Sequence, residues 1–230
     1  MTARRDRDVV EKTFVNADWL AREPDLAARE AAALELLARA DLPFATPELV
    51  ALEGNTVVMS RLPGASSWAP PSIERFAALA VALHEVVAPP GFRRYRRYDI
   101  SPKVPPWTAR TRLWERAIEV AVRTTVDDAA ACFIHRDHHA GNVLWVGDEV
   151  SGVVDFVEAC IGPPEVDSAR ARINLVHWIG LDAAAQYARC PGIRIDPRWD
   201  VVDACDSISW PGTPCAWIEP FVASALSELG

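Results

Sequence analysis

Residues 133–157 read FIHRDHHAGNVLWVGDEVSGVVDFV, and no other segment limits the possible fold as much. Its polar residues come in a set order: His135-Arg136-Asp137, then Asn142 five positions after Asp137, then Asp155 closing an apolar run. Residues 143–146 and 152–156 alternate as strands do, with a turn at Gly147 and Asp148 between them. A loop from Asp137 to Asn142 lets both side chains point into one cleft. The hairpin then returns the chain so that Asp155 emerges beside Asn142. These three side chains converge only if that hairpin forms, so the surrounding fold must hold an antiparallel pair next to a loop.

Upstream, residues 8–15 (DVVEKTFV) are rich in β-branched residues and predict a strand. Residues 24–39 (PDLAAREAAALELLAR) predict a helix, opened by Pro24 and filled with Ala, Leu and Glu. Two apolar runs, 48–52 and 56–61, flank Glu53-Gly54-Asn55 and predict a hairpin. Leu62-Pro63-Gly64 interrupts the pattern and marks a boundary between a small β-rich unit over 1–62 and a larger helical unit over 63–230. Helices are expected near 72–87, 108–124, 165–179, 181–189, 198–208 and 214–228, with a short strand at Phe133-Ile134. The class is α+β.

With 230 residues, half of them hydrophobic and 24% charged, the chain can bury a full core. The net charge of −8 argues against a nucleic-acid surface and suits cationic small molecules. The segment GFRRYRRYDISPK (91–103) interleaves basic and aromatic residues but stands alone in an acidic chain. It reads as a solvated inter-helix loop lining a substrate entrance. Cys132, Cys160, Cys190, Cys205 and Cys215 are scattered and form no C-x-x-C pair, which fits small apolar residues in a reducing compartment. The charged start MTARRDRDVVEK has no apolar signal region, and no apolar run is long enough to span a bilayer. A soluble, cytoplasmic protein is expected.

Asp137, Asn142 and Asp155 follow the order of a phosphoryl-transfer loop, H-R-D-x-x-x-x-N and then a metal-holding aspartate. Such chemistry asks for positioning and charge neutralisation rather than covalent work. Asp137 would face the acceptor hydroxyl and take its proton. The Asn142 amide oxygen and the Asp155 carboxylate would hold Mg²⁺, which prefers hard oxygen ligands. His135 would brace the loop through hydrogen bonds. Asp167 could cap its helix and buttress the same loop, and Glu158, Asp203 and Asp206 are candidate carboxylates for a cationic acceptor. The triplet Asp137-His138-His139 also occurs in metal phosphoesterases, and His135, Asp137, His138 and His139 together could form a binuclear hydrolase site. Both need further ligands, and the remaining histidines, His84 and His177, lie in apolar helical stretches. A rival of another class is a non-catalytic, kinase-shaped binding protein.

The stretch HRDHHAGNVLW resembles the H-x-D-x-H-x-x-N-V-L loop of the aminoglycoside phosphotransferase and choline kinase-like family, small-molecule relatives of the protein kinases. VVDFVEACIGPPEVDSAR resembles that family's metal strand and G-P-x-x-x-D-x-A segment, REAAALELL its helix with a glutamate, and VVMSRLPG its hinge. The resemblance covers residues 8–180. It implies a protein-kinase-like, two-lobed fold with a shortened β-rich N-lobe and a mainly helical C-lobe. It also implies ATP in the cleft, with GTP the alternative donor depending on the hinge near residues 59–61. By the same resemblance Lys12 contacts the α/β-phosphates and pairs with Glu30. The acceptor would be a hydroxyl of an aminoglycoside-like or other hydroxylated metabolite. The chain departs from the pattern in one respect: no glycine precedes Gly54, so the Gly-rich cover over the phosphates is missing from this sequence. Weak nucleotide binding, or an inactive fragment, is the corresponding expectation.

Overall fold

The structure, a computed structural model, describes residues 8–98, 102–208 and 216–230. Its first strand, β1 (Val9–Thr13), is followed by a short helix α1 (Ala17–Arg22) and by α2 (Leu26–Leu37). The helix expected over 24–39 is thus α2, trimmed at both ends, and α1 was not foreseen. Asn16 starts α1 by accepting a hydrogen bond from the Trp19 amide at 2.9 Å, a local cap that overrides weak helix periodicity. Strands β2 (Leu49–Glu53) and β3 (Thr56–Ser60) form the expected hairpin, with Gly54 at φ 60° supplying the left-handed turn residue. Both β1 and β2 pair antiparallel with β3, so β3 is central and Lys12 sits opposite Val57.

A two-residue strand β4 (Ala65–Ser66) leads to α3 (Ile73–His84), whose N-cap is Ser72, and to α4 (Thr111–Arg123). Then come β5 (Cys132–Ile134), β6 (Val143–Val146), β7 (Glu149–Val153) and β8 (Cys160–Gly162). The expected hairpin is therefore β6–β7, but its second strand starts at Glu149 rather than Gly152. Asp155 and Phe156 lie past the strand, because a tight turn at Gly147 (φ 61°) begins the return at once. β4 adds to the outer edge of β6, and β5 pairs with β8 as a separate ribbon. Neither β4 nor β8 is legible from periodicity, each being shorter than one alternation pattern.

Among the described residues four α-helices follow: α5 (Pro164–Trp178), α6 (Leu181–Ala188), α7 (Pro197–Ile208) and α8 (Glu219–Glu228). Residues 214 and 215 of the expected last helix, and Cys215, lie outside the described residues, as do residues 99–101 of the basic-aromatic segment. Pro164 and the acids Glu165 and Asp167 suit the first turn of α5, and Gly180 at φ 129° ends it. α5 runs through the middle of the helical region, packed on α3, α6, α7 and β5. The observed class is α+β, as expected. No disulfide joins the described cysteines. Among the described residues, no helix is long and apolar enough to cross a membrane.

Candidate active site

The loop after β5 is held from below by one buried carboxylate. Asp167, in the first turn of α5, accepts from the His135 amide at 2.9 Å and from the Arg136 amide at 2.6 Å. Its Oδ2 also meets His84 Nε2 at 3.1 Å, so the end of α3 joins the same network. Burial alone would raise this carboxyl, but His84 and the neighbouring histidines hold it below the usual carboxylate range. His135 braces the loop as anticipated, its Nε2 lying 3.0 Å from the Val154 carbonyl. That contact links the loop to the segment carrying Asp155.

Arg136 has φ 67° and Asp155 φ 68°, the positive-φ residues other than glycine among the described residues. Such backbone is costly for side chains with a Cβ and tends to sit where side chains must be aimed. Arg136 is buried: it donates to Glu158 Oε2 at 2.5 Å and to the Arg96 carbonyl at 2.7 Å. Tyr98 and Tyr95 flank its guanidinium at 4.4 and 5.1 Å. Two sequence expectations change here. Glu158 is committed to Arg136 and Arg93, so it is not an open carboxylate for a ligand. The 91–98 part of the basic-aromatic segment is not a solvated loop, because Tyr95, Tyr98 and Arg93 fold in around that ion pair.

Asn142 donates from Nδ2 to the Asp137 carbonyl at 3.0 Å, a bond that does not use its amide oxygen. The Val154 amide donates to the Asn142 carbonyl at 3.0 Å, extending the β6–β7 register past Val143 opposite Val153. Asp155 is therefore the neighbour of the residue opposite Asn142. Its carboxylate, 41% exposed, takes Lys12 Nζ at 2.7 Å. The same ammonium meets Glu30 Oε2 at 2.6 Å, and Glu30 is 1% exposed on α2. Burial pushes the Glu30 carboxyl above its ordinary range, against the pull of Lys12. Lys12, Glu30 and Asp155, drawn from β1, α2 and the segment after β7, are thus one chain of charges.

Asp137, with its carboxylate 38% exposed, has His139 Nε2 at 3.4 Å on one oxygen and Arg170 Nε at 3.5 Å on the other. Burial would raise its carboxyl, yet His139 and Arg170 hold it well below the usual carboxylate range. It is ionised at neutral pH. His139 is itself stacked on Trp68 at 4.8 Å, and Trp68 on Trp178 at 5.2 Å, so an aromatic ribbon fixes the imidazole beside the carboxylate. His138 faces the other way chemically: it stacks on Phe76 at 4.6 Å, and burial pushes it down to about 3, leaving it neutral. Arg170, Trp68 and His84 were not singled out for the site from sequence. Arg170 lies three residues after Asp167 on α5, a one-turn spacing that could have flagged it. The distant Trp68 carries no comparable sequence signal.

The donor set suits a magnesium ion: one amide oxygen and one carboxylate, hard ligands left to be completed by phosphate oxygens and water. The sequence matches the family described as "Phosphotransferase enzyme family" over residues 6–205. No match was found among curated proteins. Among solved structures, the fold is similar to that of the choline kinase LicA from Streptococcus pneumoniae, at 10% identity and TM-score 0.61, covering 98% of this chain and 87% of that one. It is also similar to the aminoglycoside phosphotransferase APH(3'')-Id from Streptomyces rimosus, at 19% identity and TM-score 0.57, covering 88% and 86%. A type I macrolide 2'-phosphotransferase shares 20% identity at TM-score 0.52, covering 96% and 83%. These likenesses show a kinase-like fold.

Proposed function

Since the chain belongs to the phosphotransferase enzyme family, matched over residues 6–205, we propose that it moves the γ-phosphoryl group of ATP to a hydroxyl of a small molecule. The observation that carries this reading is the convergence of Lys12, Asp137, Asn142 and Asp155 through contacts of 2.7 and 3.0 Å. Structures of similar fold were solved with ADP and streptomycin, with ATP and streptomycin, and with gentamicin. Those ligands support the reaction class and leave the acceptor of this chain to be argued from its own residues.

In this reading Asp137 orients the acceptor hydroxyl and takes its proton as the oxygen forms a bond to the γ-phosphorus. The bond from that phosphorus to the β–γ bridging oxygen breaks, and ADP leaves. A strongly ionised Asp137 is compatible with this, because in a loose transition state the proton departs late. Lys12 leaves part of its pairing with Asp155 to meet the α/β-phosphates, while Glu30 keeps its ammonium in place. Asn142 and Asp155 would hold Mg²⁺, which when bound supplies charge neutralisation for the phosphates. Asp167 keeps the loop backbone rigid beneath them.

Calorimetric titration with ATP, with and without Mg²⁺, tests the reading directly. Metal-dependent binding is expected; Asp155→Ala should weaken it at least tenfold, and Asp137→Asn should leave it nearly unchanged while lowering transfer about 10³-fold or more. A folded protein that binds no nucleotide at millimolar ATP would refute the assignment. Full transfer by Asp137→Asn would remove Asp137 as the base.

A further inference from the structure

A small cavity is lined in part by Tyr95, Tyr98, Arg136, Arg170, Asp203 and Asp206, and Arg170 connects it to Asp137. Its volume of about 10 Å³ is room for one water- or hydroxyl-sized group. On its far wall α7 presents Asp203 and Asp206, and Asp200 lies one turn earlier along the same side of the helix. A bare row of carboxylates is what a polycationic acceptor would need. Here each carboxylate has an arginine near it, and burial pushes all three toward the neutral form. Arg172 pairs with Asp200, Arg170 with Asp203 at 3.2 Å, and Asp206 lies in the field of Arg97, Arg170 and Arg136.

The Arg170–Asp203 pair is not internally satisfied. Arg170 Nε, a donor, and Asp203 Oδ2, an acceptor, are both buried without a hydrogen-bond partner. Nε of Arg136, a side chain only 4% exposed and part of the same lining, is a third such atom. Buried polar atoms left in this state are costly and call for a partner. A hydroxyl answers both members of the pair, accepting from Nε and donating to Oδ2. An ammonium has donors only and would face a guanidinium; a carboxylate or phosphate would face Asp203. The same guanidinium lies 3.5 Å from Asp137 and 3.2 Å from Asp203, so groups at the two carboxylates are separated by one guanidinium's width. Nε itself is the nitrogen 3.5 Å from Asp137 Oδ1, so a hydroxyl on Nε stands beside a group held at Asp137.

We propose that Arg170 and Asp203 recognise the acceptor, and that the acceptor is an uncharged polyol. One hydroxyl faces Asp137 and its neighbour bridges Arg170 Nε and Asp203 Oδ2. The proposal rests on the phosphotransferase reading above and narrows it to a substrate class.

The test is to measure binding and Mg-ATP-dependent transfer with myo-inositol, ribitol and glucose, alongside streptomycin and gentamicin, using the full chain. At least one polyol should be used with kcat/KM tenfold or more above either aminoglycoside. Arg170→Gln and the isosteric Asp203→Asn should each raise its KM tenfold or more without changing nucleotide affinity, the melting temperature reporting that the variants fold. The matched deoxy compound, lacking the neighbouring hydroxyl, should lose a similar factor in the wild type and lose no more in Asp203→Asn. Preference for an aminoglycoside would overturn the proposal while leaving phosphoryl transfer standing. So would unchanged KM in both variants, the sign of a cavity holding water only, or Mg-ATP binding with no polyol bound. Absence of Mg-ATP binding would overturn the phosphotransferase reading and this proposal with it.

Discussion

Asp167 is the residue on which the geometry of the loop turns. It gives two buried amides and one imidazole their acceptors, at 2.6 to 3.1 Å. Asp167→Asn turns one acceptor oxygen into a donor, so at least one of those N–H groups loses its partner, at a cost of about 1–3 kcal/mol. The shift should also change how stability depends on pH. The folded carboxyl sits below its unfolded value of roughly 3.9, so its contribution is complete above that pH and is lost as pH falls through the folded value. Denaturant midpoints of the variant should therefore be lower than wild type at pH 7, and the two should approach each other on the acid side. At this scale the order of polar residues in the sequence points to Asp137, Asn142, Asp155 and His135, and the structure places the Asn142 amide on the Asp137 carbonyl and His135 against Val154. The sequence was silent on His84, because nothing in the apolar run of α3 says that its last residue reaches a carboxylate eighty-three positions away.

Elements decide where those residues end up. The β6–β7 hairpin brings Val154, the neighbour of Asp155, opposite Asn142, and it is fastened to the preceding chain by the Val153 amide donating to the Ala45 carbonyl at 3.0 Å. Gly152 makes that approach possible: a Cβ there would lie 2.8 Å from the Ala45 carbonyl oxygen and would also run into the Leu62 side chain. Leu62 can turn aside, but the carbonyl cannot. Gly152→Ala should cost about 1–3 kcal/mol of stability by overpacking and, because the hairpin tilts, lower Mg-ATP affinity as well. Thermal melting and calorimetry on the one variant check both effects. Hairpin periodicity made this element readable, while the early start of β7 depended on Gly147 forming the tightest turn, which the pattern of apolar residues did not reveal. On α7 burial pushes Asp206 up to about 7. The unfolded value is roughly 3.9, so between those pH values the folded state binds the extra proton and stability falls as pH rises. Asp206→Asn should then melt a few degrees above wild type at pH 8, with the gain vanishing below about pH 4.

For the molecule as a whole, the β1–β3–β2 sheet with α2 and the helical region are joined at the cleft by the charges of Lys12, Glu30 and Asp155. The helical pattern and the early strand made both parts readable in outline, but their mutual placement follows from contacts between residues 143 positions apart. Glu30 is buried and Asp155 is not, so the two ends of this triad differ in what they lose when Lys12 is removed. Lys12→Ala strands a buried carboxylate, a change that costs about 3–5 kcal/mol when nothing replaces the partner. Much of that cost is avoidable, since Glu30 is already pushed toward its neutral form. Adding Glu30→Gln to Lys12→Ala should therefore restore most of the lost stability. It should not restore nucleotide binding, because the ammonium that meets the phosphates is still gone. Denaturant unfolding of wild type, both single variants and the double variant gives the coupling energy, and calorimetry with Mg-ATP on the same four proteins separates the two roles of Lys12. Recovery of stability and ATP affinity together in the double variant would mean that Lys12 acts only by neutralising Glu30; recovery of stability alone would place its ammonium at the phosphates.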